Sequence, residues 1–273
     1  MKPPPPSALR GRGRGRNLAL TLLAAIGFGV VVAALLILTA RYFYGRELAV
    51  RLQLNTWSPA RHTGNPGGMR VLFLGDSRAE QWPALLADRF QTINAGVGGE
   101  TTAQVLLRTR RLLTEEHPAV VVIQAGINDL KAIGVLPRSA PTIQTQCLSN
   151  LVAMVRECQD QGAGVVVTLI FPPGPVDWQR RLFWSPRIAT AVQEINNELS
   201  RQFASKSGVV ILDTVNLLSP PPEGSPQQEY YEDTLHLRPA AYTNLQAALL
   251  PLLDKVLGTR RMDPLNSNSP AGR

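Results

Sequence analysis

The chain has 273 residues, 44% of them apolar and 18% charged, which is enough for one sizeable buried core and too apolar for a disordered chain. Its net charge of +8 suggests a nucleic-acid binder, but Lys2, Arg10, Arg12, Arg14 and Arg16 supply five positive charges with no acid among the first sixteen residues. Arg260, Arg261 and Arg273 add more near the C-terminus, so the middle of the chain is almost neutral, has no basic stripe for phosphates, and excludes a nucleic-acid partner.

Residues 1–16 are rich in Pro and Gly-Arg and predict a disordered basic tail. Residues 17–40 carry no charged side chain and include Leu18, Leu20, Leu22, Leu23, Ile26 and Val30 to Val32. A bilayer core needs about 20 such residues in a helix, so this stretch predicts a membrane-spanning helix. The basic residues before it favour a cytoplasmic N-terminus, and Tyr42, Phe43 and Tyr44 suit the far interface. A cleaved signal peptide ending near Ala40 is the competing reading. Either way the rest of the chain lies outside the cytoplasm.

Residues 41–69 read as a juxtamembrane segment and linker, with a short helix over Glu47–Asn55 and a Pro- and Gly-rich stretch from Thr56 to Gly68. From Arg70 to Leu257 the pattern alternates. Apolar strands are predicted at Val71–Leu74, Thr92–Asn94, Ala119–Gln124, Gly164–Phe171 and Val209–Leu212. Helices are predicted at Ala79–Phe90, Thr102–Leu113, Ile143–Gln161, Ile188–Ser205 and Pro239–Leu257. Continuous apolar strands between amphipathic helices mean a parallel sheet covered on both faces. The fold class is α/β: a flavodoxin-like three-layer α/β/α sandwich with a five-stranded parallel sheet in the order 2-1-3-4-5. Residues 258–273 are polar and predict a loose tail.

Cys147 and Cys158 lie in one predicted helix. Eleven residues of helix span roughly 16 Å, while a disulfide tolerates about 7 Å between Cα atoms, so no bond is expected between them. With no histidine nearby they also make a poor metal site, and no metal or cofactor is expected.

Doubly wound sheets hold ligands beyond the carboxyl ends of the strands, where the strand order reverses. Three segments converge there: Gly75-Asp76-Ser77 after the first strand, Asn94 to Thr102 with its glycines after the second, and Ala125-Gly126-Ile127-Asn128-Asp129 after the third. A serine between strand and helix is either an N-cap or a nucleophile beside helix N–H donors. Glycines after strands also make tight turns, and Asn-Asp caps helices. The glycine cluster lacks the spacing of a dinucleotide fingerprint or a phosphate loop. Of three histidines, His62 falls in the linker and His117 in a polar turn; His236 follows Asp233 by three residues, just before the last helix. A carboxylate so placed can take the Nδ1 hydrogen and leave Nε2 to accept a proton. The long Asp213–Asp233 connection, with no obvious element of its own, can bring His236 over Ser77.

These four blocks, Gly75-Asp76-Ser77, the Gly99 turn, Gly126-Ile127-Asn128-Asp129 and Asp233-Thr234-Leu235-His236, resemble those of the SGNH (GDSL-type) hydrolase family, in the family's order and over about Arg70 to Leu257. The resemblance implies a serine esterase with Ser77 as nucleophile, His236 as general base and Asp233 orienting it. It implies an oxyanion hole made of the Ser77 N–H, the Gly99 N–H and the Asn128 side-chain amide. Arg78 departs from the leucine or isoleucine that the family name implies, which leaves the substrate open. The loop Pro172–Arg187, with Trp178, Phe183 and Trp184, either lines an acyl or glycan pocket or covers the domain's own core. The expected substrate is a lipid ester, a thioester or an acylated glycan, met by a monomer tethered through residues 17–40. Two rivals remain at this stage: an O-acyltransferase acting on a cell-envelope glycan with the same triad, and a non-catalytic envelope protein.

Overall fold

A computed structural model describes residues 11–51, 60–220 and 226–261. The chain divides into two compact units, Met1–Trp57 and Ser58–Arg273. In the first, the described residues form one helix, α1 (Gly11–Arg51). Its apolar run Leu20–Gly45 has 26 residues and a mean hydropathy of 2.7, with none of its most apolar window buried. That run is about 39 Å long at 1.5 Å per residue, more than the roughly 30 Å of a bilayer's hydrocarbon core. A membrane anchor and a signal sequence near the N-terminus both pass this test of length and composition. The helix includes Gly11–Arg16, where a disordered tail is expected from sequence: once the apolar run forms, extending a helix costs little per residue. It also absorbs the first residues of the predicted Glu47–Asn55 helix. The rest of that helix, the tail before Gly11 and the tail after Arg261 lie outside the described residues.

The second unit is built on a six-stranded sheet. Its strands are β1 (Arg61–Gly64), β2 (Met69–Gly75), β3 (Phe90–Gly96), β4 (Val120–Gln124), β5 (Gly164–Thr168) and β6 (Val209–Leu212), in the order β1-β3-β2-β4-β5-β6. The five parallel strands β2 to β6 follow the expected 2-1-3-4-5 order. The sixth corrects the prediction: Arg61–Gly64, read as linker, pairs antiparallel with β3. All four of its residues are exposed, so it carries no apolar signal. Backbone pairing holds it, together with Arg61 donating to the Glu80 carbonyl at 2.8 Å and a 2.8 Å contact between His62 Nε2 and Glu116 Oε2.

Strand side chains alternate between two cores. Leu72, Leu74, Val121, Ile123, Val165 and Val167 face a layer made of α3 (Thr102–Glu116), α5 (Ala140–Asp160) and α6 (Arg187–Phe203). Val71, Phe73, Val120, Val122 and Val166 face the other layer, dominated by the helix over Pro239–Arg261. Short helices occupy the loops: α2 (Ser77–Glu80), α4 (Ile127–Leu130) and α7 (Thr214–Leu218), so the last helix is α8. Cys147 and Cys158 are buried free thiols on α5.

The predicted helix Ala79–Phe90 is not formed: α2 is a single turn, and Phe90 already starts β3. Pro83 steers Trp82 out of the helical region. The segment instead lays Trp82 and Leu85 into the α8-side core, with the Trp82 ring 5.6 Å from Tyr242 and 5.3 Å from Phe73. The Asp213–Asp233 connection likewise has elements of its own, α7 and a 3-10 turn over Gln228–Tyr230. The helix α8 runs on to Arg261, through the start of the expected tail.

Candidate active site

The strand β2 ends at Gly75 because nothing larger fits. A Cβ there would lie 1.7 Å from the Gln124 carbonyl oxygen of neighbouring β4. Asp76 then caps α2, its Oδ1 accepting from the Arg78 N–H at 2.9 Å. The capping role that sequence left open for Ser77 thus falls to Asp76, and Ser77 becomes the partly exposed first residue of the turn. Asp76 is fully buried, and burial pushes its carboxyl up to about 6 against the pull of Arg78. Asn94 closes the same turn: its Nδ2 donates to the Ala79 carbonyl at 2.9 Å and to that of Trp82 at 3.1 Å.

The glycine turn after β3 lies against this serine. A Cβ at Gly98 would sit 3.8 Å from the Ser77 Cβ and 2.9 Å from Glu80 Oε2. Gly99 has φ +81°, a left-handed conformation that a side chain would strain. Beneath the turn, buried Arg108 from α3 donates to the Ala95 carbonyl at 2.6 Å and the Gly75 carbonyl at 2.9 Å, and pairs with buried Glu100 at 2.8 Å. One guanidinium therefore ties the ends of β2 and β3 together. Asn128, buried on α4, donates Nδ2–H to the Glu100 carbonyl at 2.9 Å, while its Oδ1 accepts from Lys131 Nζ at 2.6 Å. That orientation fixes the amide and leaves the second Nδ2 hydrogen for a ligand. Asp129 accepts from the Thr102 N–H at 2.9 Å and hydroxyl at 2.6 Å, docking the start of α3 against α4.

The histidine comes from the turn before α8. Asp233 Oδ2 lies 2.9 Å from His236 Nδ1, and its Oδ1 accepts from the Leu235 N–H at 2.6 Å and the His236 N–H at 2.8 Å. Burial alone would raise the Asp233 carboxyl, but these hydrogen bonds outweigh it and hold the group at about 2. Arg180 Nη2 reaches the same Oδ2 at 3.2 Å. Thr234 anchors the turn to the loop after β5, donating to the Pro175 carbonyl at 2.9 Å and accepting from the Asp177 N–H at 3.0 Å.

Arg78 joins the serine turn to the histidine turn. Fully buried, it donates Nε–H to the Leu235 carbonyl and Nη1–H to the Phe171 carbonyl, each at 2.7 Å, and its guanidinium lies 5.2 Å from the Phe171 ring centre. The residue after Ser77 is thus bonded to the residue before His236. The contacts bring together Ser77 with the glycine turn, the glycine turn with Asn128, Asp233 with His236, and the serine turn with the histidine turn. The aromatic loop is split: Trp184 is half-buried against the core, whereas Trp178 and Phe183 are exposed. Among the described residues no three His, Cys, Asp or Glu groups gather as a metal site.

Comparison with known proteins places the domain in a family. The profile of the GDSL-like Lipase/Acylhydrolase family matches residues 62–243. The chain belongs to the GDSL-like lipase/acylhydrolase family. It is 29% identical over 188 residues to the esterase TesA of Pseudomonas aeruginosa, spanning 66% of this chain and 83% of that one. Over 71 residues it is 37% identical to an Escherichia coli protein named for thioesterase, protease and lysophospholipase activities, spanning 22% of this chain and 34% of that one. The crystal structure of a GDSL-like lipase from Bacteroides thetaiotaomicron shares the fold, with TM-score 0.57 at 20% identity over 68% of this chain and 88% of that one. The chain is therefore an acylhydrolase by family.

Within this GDSL-like domain, the bracing roles of four polar side chains leave no mark in the sequence blocks: those of Arg78, Asn94, Arg108 and Asp129. Arg108 alone left a usable trace. It shares a helical stripe with buried Val105 and Leu112, at i+3 and i+7, so a charge was already aimed at the core.

Proposed function

We propose that the chain hydrolyses carboxylic esters through an acyl-enzyme on Ser77. His236 Nε2 takes the hydroxyl proton as Oγ attacks the ester carbonyl. The oxyanion forms against the Ser77 N–H, the Gly99 N–H and the free Asn128 Nδ2–H, donors held in place before the reaction begins. Collapse breaks the bond to the alcohol or thiol, which leaves with the proton from His236. Water then loses a proton to His236 and attacks the acyl carbon; collapse breaks the acyl–Oγ bond, His236 returns the proton to Ser77 Oγ, and the acid is released. Asp233 keeps Nδ1 protonated and the ring oriented throughout.

The observation that carries this reading is the 2.9 Å Asp233–His236 contact, which commits Nδ1 to the carboxylate and frees Nε2. The substrate classes we favour are lysophospholipids and acyl thioesters, in keeping with the name of the Escherichia coli relative. The run Leu20–Gly45 acts in this reading as an uncleaved anchor, with the N-terminus in the cytoplasm because five basic residues precede it, and the catalytic domain outside. A serine-directed fluorophosphonate tests the proposal. Labelling of the wild type, abolished in Ser77→Ala together with ester hydrolysis, supports it. A folded wild type that neither labels nor cleaves any ester of a chain-length panel refutes it.

A further inference from the structure

The loops that deliver Asn128 and brace Asp233 also carry an exposed apolar surface. In the loop after α4, Val135 and Leu136 are 56% and 53% exposed; in the loop after β5, Leu182 and Phe183 are 87% and 62% exposed. The two loops abut. A Cβ on Gly134 would lie 2.0 Å from the Phe183 carbonyl oxygen, and Arg187 Nη1 donates to the Pro137 carbonyl at 3.4 Å. The four side chains therefore belong to one surface, not to scattered points. Basic groups border it: Arg138, Arg181 and Arg187 are exposed, and residues 131–139 and 178–187 contain no acid.

We infer that this rim docks onto a lipid bilayer bearing anionic headgroups. Leucine and phenylalanine side chains lower their free energy by entering the acyl boundary, while guanidinium groups on the same loops stay level with the phosphates. A protein partner would have to offer an apolar centre and an acidic border together; an anionic bilayer offers both over any area. If the run Leu20–Gly45 is the anchor of the proposed function, the chain is already held at a membrane. The docking builds on the ester-hydrolase reading in one respect: an acyl ester held in the bilayer would reach Ser77 from the face that carries the patch.

The fragment Ser58–Arg273 contains every core residue among the described residues and none of α1, so it tests the patch without the apolar helix. It is sedimented with phosphatidylcholine vesicles with and without phosphatidylglycerol, and assayed separately on a short water-soluble ester. The expected result is binding to the phosphatidylglycerol vesicles only. Arg138→Glu weakens that binding at least about fivefold, and Leu136→Ser with Leu182→Ser about tenfold or more, while hydrolysis of the soluble ester is unchanged. Arg138→Glu alters one exposed side chain and stands alone should the double variant misfold. A folded fragment that does not bind, or variants that bind like wild type, overturns the docking while ester hydrolysis stands. Loss of soluble-ester hydrolysis in the variants overturns it in favour of an acyl pocket. Absence of ester hydrolysis in the wild type fails the function and leaves the vesicle result to judge the docking.

Discussion

Arg78 is the largest fully buried side chain in the catalytic unit, and burial lowers the affinity of its guanidinium for the proton. Its two 2.7 Å bonds to the Phe171 and Leu235 carbonyls make it a strap between the serine and histidine turns. Arg78→Leu would strand both carbonyls, so we expect a loss of about 2–5 kcal/mol in urea unfolding and a fall in kcat larger than the change in KM. Unchanged stability would show that the strap bears nothing. Asn128→Ala removes one oxyanion donor and should lower kcat by about 10²–10³ with KM little altered; a kcat equal to wild type would remove the amide from that role. Asp233 sets a pH window. Its folded value of about 2 lies below its ordinary 3.8, so its contribution is complete above about pH 4 and is lost as pH falls towards 2. Wild type should therefore exceed Asp233→Asn in stability at neutral pH, with the gap closing across that acid window; a gap independent of pH would contradict the assignment. Ser77, His236 and Asp233 could be singled out from sequence as the proposed nucleophile, base and orienter because each sits at an element boundary. Arg78 was not, because its partners are two carbonyls 93 and 157 residues away, and carbonyls leave no trace in residue type.

Among elements, the parallel strands were legible because burial on both faces makes them continuously apolar, as in Val71–Leu74 and Val120–Ile123. The antiparallel β1 was not, since an exposed edge strand of Arg, His, Thr and Gly differs from a linker only by its backbone pairing. The predicted helix after Ser77 failed for a local reason: Pro83 and the Asn94 side chain end α2 after one turn. That early ending keeps Ser77 close to the glycine turn. The brace between β2, β3 and α3 is the Arg108–Glu100 pair, both partners buried. Burial raises the Glu100 carboxyl, and the neighbouring Arg108 counters it. Arg108→Met leaves an uncompensated buried acid and two stranded carbonyls, so we expect a loss of about 3–5 kcal/mol. The double variant with Glu100→Leu should recover part of it, as chemical denaturation of the set would show. A double variant no more stable than the single one would contradict the pairing.

At the scale of the molecule, charge and apolarity are segregated. Most of the net positive charge comes from the sequence near the two chain ends, the apolar run Leu20–Gly45 lies in the first unit, and both cores and all four site blocks lie in Ser58–Arg273. The division predicts that the Ser58–Arg273 fragment folds and cleaves a water-soluble ester with the kcat/KM of the full chain. A fragment that unfolds would mean that residues before Ser58 complete the core. The proposed chemistry requires convergence: one hydroxyl, one imidazole and three donors meeting at the carboxyl edge of β2, β3 and β4. A crystal structure of the fragment inhibited by a phosphonate ester tests it most directly. The expected adduct has phosphorus bonded to Ser77 Oγ, the phosphoryl oxygen about 2.7–3.1 Å from the Ser77 N, Gly99 N and Asn128 Nδ2 atoms, and His236 Nε2 turned towards Oγ. An adduct on another residue, or a phosphoryl oxygen facing solvent with none of those donors on it, would contradict it.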